Sequence, residues 1–275
     1  MTAIETFRAL HRSGCFVMPN PWDLGSAVLM HRAGFPAIAS SSAALAFTRA
    51  MPDTVWGIPV DAVLAHLAEL VRATPLPVNA DFQSGFAPEL EQMASNIARC
   101  VHTGVAGLSI EDATGDAVAP LYERDHAIAR VRTARRAIAG TGIPVVLTAR
   151  CEAFLVNDPD AERTVLDRLT AFAAAGADCV FAPGIRDLAF VDTLVKAVAP
   201  TPVNVLISTP IPGFTVDALR TLGVRRISLG SALARVAWGA VLRSVREIAE
   251  HGTFETLAGA ASFAELDTAF TAPRS

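Results

Sequence analysis

The 275-residue sequence predicts one α/β domain folded as a (β/α)8 TIM barrel, and three observations carry that prediction. Eight short β-branched or apolar bursts recur along the chain, each leading through a polar or glycine-rich turn into a stretch with helical spacing. Glycines stand where helices should end, just ahead of the next burst. Neither a GxGxxG fingerprint nor a Walker motif occurs, which weighs against the structural alternative, an open doubly wound sheet. Alternating strands and helices specify a parallel sheet, and eight repeats let that sheet close on itself.

In chain order, the first strand falls near Cys15–Met18, followed by a helix over Leu24–Ala33 that Gly34 ends. Strand two, Ala37–Ser40, runs into a serine triplet and then the helix Pro59–Arg72. Strand three, Pro77–Asp81, precedes the helix Pro88–Thr103, stopped by Gly104. Strand four, Gly107–Glu111, is separated by a long loop from the helix Arg124–Ala139. Strand five, Val145–Ala149, is followed by the helix Asp160–Ala175 and Gly176. Strands six (Cys179–Ala182), seven (Val203–Leu206) and eight (Arg226–Leu229) alternate with helices Leu188–Val198 and Val216–Leu222. Ser231 to Ala249 continues as helix and Gly252 to Phe270 as one or two more. The domain, 1–275, therefore carries a helical extension over about 231–275, which either caps the barrel or reaches a neighbouring subunit.

Composition narrows the function. The hydrophobic content of 52% suits a large core, while a net charge of −4 offers no basic face for nucleic acid. No apolar run approaches the roughly 20 residues that cross a bilayer, and Met1 to Arg12 lacks an apolar signal core, so no membrane role and a cytoplasmic location are expected. Cys15, Cys100, Cys151 and Cys179 are widely spread and read as reduced thiols. Lys196 is the only lysine and lies on a helix ahead of a strand, which disfavours Schiff-base chemistry.

Side chains at the C-terminal ends of barrel strands converge on one mouth. There the sequence supplies Asn20 and Asp23, Ser40 to Ser42, Asn79 and Asp81, Glu111 and Asp112, Arg150 and Glu152, and Asn204 and Ser208. Oxygen donors beside one guanidinium describe a hard-cation site next to a carboxylate clamp. The plainer reading is that Asp81 and Glu111 cap helices or bind loop amides.

At these residues the chain resembles the isocitrate lyase and phosphoenolpyruvate mutase superfamily across nearly its whole length. The matching pieces are Asn20-Pro21-Trp22-Asp23 with Ser26-Ala27, Ser40-Ser41-Ser42 leading to Pro52-Asp53, and Pro77 to Asp81 through Gly85. They continue with Ser109-Ile110-Glu111-Asp112, Thr148-Ala149-Arg150, and Gly176-Ala177-Asp178 with Phe181. The resemblance implies Mg2+, with Mn2+ as the alternative ion, held near Asn79, Asp81 and Glu111, with Asp53 further out. It also implies that Arg150 holds the substrate carboxylate, with Ser40, Ser41 and Ser42 at its other end. Asn204 and Trp22 are further candidates for lining the substrate, and Arg150, Asp53 and Glu111 for the catalytic set. Asn79 departs from the family, which carries an aspartate there; an amide oxygen still coordinates Mg2+, with less charge.

A second departure lies in the loop 113–126, where isocitrate and methylisocitrate lyases carry a Lys-Lys-Cys-Gly-His or Lys-Arg-Cys-Gly-His signature. This chain has neither lysine nor cysteine there. The expectation is therefore a Mg2+-dependent lyase acting on a smaller 2-oxo or 2-hydroxy carboxylate, oxaloacetate-like or malate-like, through enolate-like charge. Phosphoenolpyruvate mutase or other C–P chemistry is the alternative, and a non-catalytic metabolite-binding barrel is the alternative of another class. The resemblance also implies a homo-oligomer, a dimer or tetramer, that exchanges C-terminal helices.

Overall fold

The computed structural model describes residues 1–271, so positions 272–275 of the expected extension lie outside the described residues. Its strands are β1 (Phe16–Met18), β2 (Ile38–Ala39), β3 (Val78–Asp81), β4 (Gly107–Glu111), β5 (Val146–Arg150), β6 (Cys179–Phe181), β7 (Val203–Leu206) and β8 (Arg226–Ser228). All eight are parallel in one sheet of order β1-β8-β7-β6-β5-β4-β3-β2. The two ends meet where Ala39 N donates to Pro19 O at 3.0 Å. Asn20 reinforces the seam, donating from Nδ2 to Ser40 O at 2.9 Å and accepting at Oδ1 from Leu229 N at 3.0 Å. This is the (β/α)8 barrel that the sequence predicts.

The helices are α1 (Ala3–Leu10), α2 (Leu24–Arg32), α3 (Ser42–Thr48), α4 (Val60–Ala73), α5 (Leu90–Val101), α6 (Arg124–Gly140), α7 (Ala161–Ala174), α8 (Leu188–Val198), α9 (Val216–Thr221), α10 (Ala232–His251) and α11 (Phe263–Thr271). Gly34, Gly104, Gly176 and Gly223 are left-handed at the helix exits, as the spacing predicts. Two helices had no place in the sequence reading. Thr2 and Glu5 form a capping box that starts α1, and Ser41 accepts from Ala44 N to start α3.

Period-two alternation divides each strand between wall and interior. On β4 and β5, Leu108, Ile110, Leu147 and Ala149 face outward into the main core, where they meet Met93 and Ile97 of α5 and Val131 and Ile138 of α6. Burying each such large side chain contributes about 1.5–3 kcal/mol. The inward set pairs Gly107 with Val146, Ser109 with Thr148 and Glu111 with Arg150, so polarity rises toward the mouth. Below, a second cluster of Phe7, Phe16, Met18, Ala37, Ala39 and Val146 plugs the barrel. A Cβ on Gly107 would lie 2.6 Å from Phe7 Cε1 and 2.8 Å from Asn79 Oδ1, so glycine is what admits the plug.

Beyond β8 the chain leaves the barrel. Val236, Trp238, Val241, Leu242, Val245 and Ile248 of α10 are all exposed, whereas α11 returns to pack on α2. No helix among the described residues is long and apolar enough to cross a membrane.

Candidate active site

The mouth is a cavity of about 230 Å3 lined from nearly every strand end, including Ser40, Asp53, Asp81, Arg150, Asn204 and Arg226. Its organising group is Arg150, placed on the last residue of β5 directly across from Glu111 on β4. Arg150 Nη1 lies 3.4 Å from Asp81 Oδ1 and 3.3 Å from Glu111 Oε2, while Nη2 donates to Glu152 Oε2 at 3.1 Å and Nε also pairs with Glu152. Burial pulls the Arg150 pKa down, but Glu152, Glu111 and Asp81 more than offset it, and the net direction is up. The guanidinium stays charged.

Burial dominates the acids around it. Glu111 is held well above the ordinary glutamate range by desolvation, which Arg150 opposes and Glu152, Asp81 and Asp112 reinforce. Glu152 is raised for the same first reason, against the pull of Arg150. Asp112 is also raised by burial; its Oδ1 accepts from Glu152 N at 2.8 Å and its Oδ2 from Arg168 Nη1 at 3.0 Å. That contact fixes the backbone immediately after Arg150.

The serine triplet is stitched to Asp81 from two sides. Ser40 Oγ accepts from Asp81 N at 2.8 Å, and Ser42 N donates to Asp81 Oδ2 at 2.9 Å. Asp53 stands on an exposed segment anchored by Gln83, whose Oε1 accepts from Trp56 N at 2.9 Å and whose Nε2 donates to Thr54 O at 3.2 Å. Desolvation at the mouth and the nearby Asp81 raise its pKa, and the Ser42 hydroxyl hydrogen-bonds it.

Ser40, Ser41, Ser42, Asp53, Asn79, Asp81, Arg150 and Asn204 all line the mouth cavity, and Glu111 faces an adjoining cleft shared with Asp53, Arg150 and Glu152. Asn79 lies deeper, with Nδ2 donating to Ala80 O at 3.2 Å and Oδ1 buried without a partner. Trp22 packs against the core cluster instead of lining the cavity, and Asp23 is the N-cap of α2. Sequence reasoning gave no role to Arg168, Gln83 or Arg226. The signal for Arg226 was available, because alternation puts it on the inward side of β8 with Ser228.

The loop 113–126 folds back as a short ladder, with Ala113 bridged to Leu121 and Thr114 N donating to Pro120 O at 3.0 Å. It brings Gly115 and Asp116 to the cleft beside Glu111. Tyr122 is committed elsewhere, under the Arg130 guanidinium at 4.2 Å. Cys151 is fully buried, and burial raises its thiol well above the ordinary range.

An oxygen-rich donor set fits a hard cation: Asp81, Glu111 and Asp53 offer carboxylates, and Asn79 Oδ1 is an orphaned buried acceptor. Among the described residues no three Asp, Glu, His or Cys side chains converge into a ready cage.

Residues 7–249 match the phosphoenolpyruvate phosphomutase family. A crystal structure of a candidate lyase/mutase from Burkholderia cenocepacia J2315 superposes with a TM-score of 0.94 at 42% identity, covering 98% of this chain and 97% of that one. The 2-methylisocitrate lyase of Escherichia coli K12 is 30% identical over 72% of this chain and 68% of its own length. The oxaloacetate decarboxylase of Chromohalobacter salexigens is 30% identical over 88% and 83%. The chain therefore belongs to the phosphoenolpyruvate mutase and isocitrate lyase superfamily, and is a lyase/mutase of that type.

Proposed function

We propose that this chain is a Mg2+-dependent lyase that breaks a C–C bond of a small 2-oxo or 2-hydroxy carboxylate of the oxaloacetate or malate kind. The observation that carries this is the Arg150 guanidinium set among Asp81, Glu111 and Glu152: the guanidinium can grip a carboxylate, and the acids beside it offer oxygen to a cation. The similarity to an oxaloacetate decarboxylase and a 2-methylisocitrate lyase supports the same bond type.

Asp81, Glu111 and Asn79 would hold the ion, with Asp53 further out; when bound, it supplies Lewis-acid stabilisation of negative charge developing in the substrate. Mn2+ suits the same donors. Arg150 exchanges part of its contact with Asp81 and Glu111 for the substrate carboxylate, whose two oxygens match its planar fork. Ser40, Ser42 and the backbone between them fix Asp81 and give the other end of the substrate a polar edge. Glu111, whose pKa burial raises in the chain alone, would be held as a carboxylate by the bound cation and by Arg150. Loop 113–126 has no cysteine, so cleavage of a tricarboxylate is not part of the proposal.

The test, with Mg2+ or EDTA, is release of a 2-oxo acid from oxaloacetate, malate-like acids and methylisocitrate and, for phosphonopyruvate, its conversion to phosphoenolpyruvate or to pyruvate and phosphate. Metal-dependent turnover of the dicarboxylates, lost in Asp81→Ala and Arg150→Ala, is the expected result. Turnover of phosphonopyruvate alone would instead favour C–P chemistry, the second reading, which the phosphomutase family match supports. The proposal includes a homo-oligomer in which a second copy covers the exposed apolar residues of α10, and a cytoplasmic location.

A further inference from the structure

The cavity has two unlike walls. Acids crowd the β3, β4 and β5 side, whereas the floor near β8 is built around Arg226, which is 2% exposed yet lines the cavity. Among the described residues it has no carboxylate partner, and the ionisable group that acts on it favourably is Cys179, a thiol whose pKa burial raises. A buried cation without a counterion costs several kcal/mol, so the fold retains here a charge that a bound anion would neutralise.

Hydrogen-bond bookkeeping gives the same polarity. His11 Nδ1 donates to Phe7 O at 2.7 Å, because a carbonyl can only accept, so the neutral ring presents Nε2 as an acceptor to Arg226 Nη1 at 3.4 Å. Burial and Arg226 press the His11 pKa down to about 3, which keeps the ring neutral. Arg226 Nε donates to Asn204 Oδ1 at 2.8 Å, and that fixes the Asn204 amide so that Nδ2 donates to Ser228 Oγ at 2.9 Å. Within the run His11–Arg226–Asn204–Ser228 each acceptor already takes a donor. What remains are donors: Arg226 Nη2, which makes no hydrogen bond among the described residues, and the Ser228 hydroxyl proton.

From this geometry we infer that Arg226 and Ser228 form a second oxyanion subsite at the cavity floor, which binds the carboxylate of the substrate not held by Arg150 and so selects dicarboxylates over monocarboxylates. The inference rests on the mouth cavity being the reaction site. It adds a specificity-determining pair on β8 and assigns Asn204 a positioning role, since its amide reaches the ligand only through Arg226 and Ser228.

The experiment is calorimetric binding, with Mg2+, of malate against 2-hydroxybutyrate, which keeps the first carboxylate and the hydroxyl but lacks the second carboxylate. The wild-type protein is expected to prefer malate by tenfold or more. In Arg226→Gln that preference should fall to within about threefold, with 2-hydroxybutyrate binding unchanged. Arg226 is interior, so Asn204→Asp provides a second variant: it supplies an internal carboxylate to the guanidinium, and is expected to lose the preference while keeping or raising the Tm. Arg235, which also lines the cavity, is untouched by Asn204→Asp. A malate preference that survives in folded Asn204→Asp overturns the subsite, as does equal binding of both acids by the wild type; the latter leaves the reaction-site reading standing. Failure of the wild type to bind either acid overturns both.

Discussion

Replacing Arg150 with methionine removes one guanidinium and strands three acids. Asp81 is 16% exposed at the side chain and Glu111 and Glu152 are each 7% exposed, so water cannot take over the role of the lost cation. Removing one partner of a buried pair costs about 3–5 kcal/mol, and three stranded carboxylates put Arg150→Met at the upper end of that range at pH 8. The cost must also depend on pH in a defined sense. Glu111 and Glu152 already have folded pKa values above the ordinary 4.5, and losing Arg150 raises them further. A carboxyl whose folded pKa is raised stabilises the fold below its unfolded pKa, and that contribution is lost as pH climbs through the folded value. Each carboxyl protonated in the folded state alone shifts stability by about 1.4 kcal/mol per pH unit. Passing from pH 8 to pH 6 should therefore shrink the penalty, because the stranded carboxyls of the variant take up more proton on folding than those that Arg150 holds in the wild type. Urea denaturation followed by circular dichroism at both pH values measures this. A penalty below about 1 kcal/mol, or one identical at pH 6 and pH 8, would refute the account of Arg150 as the counterion of a buried acid cluster.

Other outcomes follow from particular contacts. Arg168→Met strands Asp112, whose side chain is 1% exposed and 3.0 Å from the guanidinium; the variant should lose about 3 kcal/mol in a thermal melt, and adding Asp112→Asn should recover much of it. On α10, Leu242→Glu with Val245→Glu places charge on the exposed apolar surface; if the proposed homo-oligomer forms there, the variant should be a smaller species than the wild type in light scattering, with the circular dichroism of the barrel retained.

Most of the fold was legible because each strand is a burst of buried residues followed by a polar turn, and glycine helix exits stand ahead of β2, β4, β6 and β8. Gly107 to Glu111, for example, is found in the structure with the predicted bounds. The α1 helix is also written in the sequence, since Thr2-Ala3-Ile4-Glu5 is a capping-box pattern. Arg150, Asp81 and Glu111 were nameable as a group because strand ends converge in a barrel whatever their separation in sequence. Local pattern could not reveal which acid each guanidinium chooses. Arg168 reaches Asp112 across 56 residues, and Arg226 meets His11 across 215, so both partnerships exist only once the barrel closes. Trp22 illustrates the opposite limit: its position after β1 is near the mouth, but its ring turns into the core.

The aromatic plug beneath the barrel has a kinetic consequence. Phe7 and Phe16 close the lower end, so whatever enters the cavity leaves on the side of the mouth. Under the proposed cleavage both fragments would leave through the mouth, and the one lying deeper, near Arg226, would leave after the other and compete with incoming substrate as product accumulates.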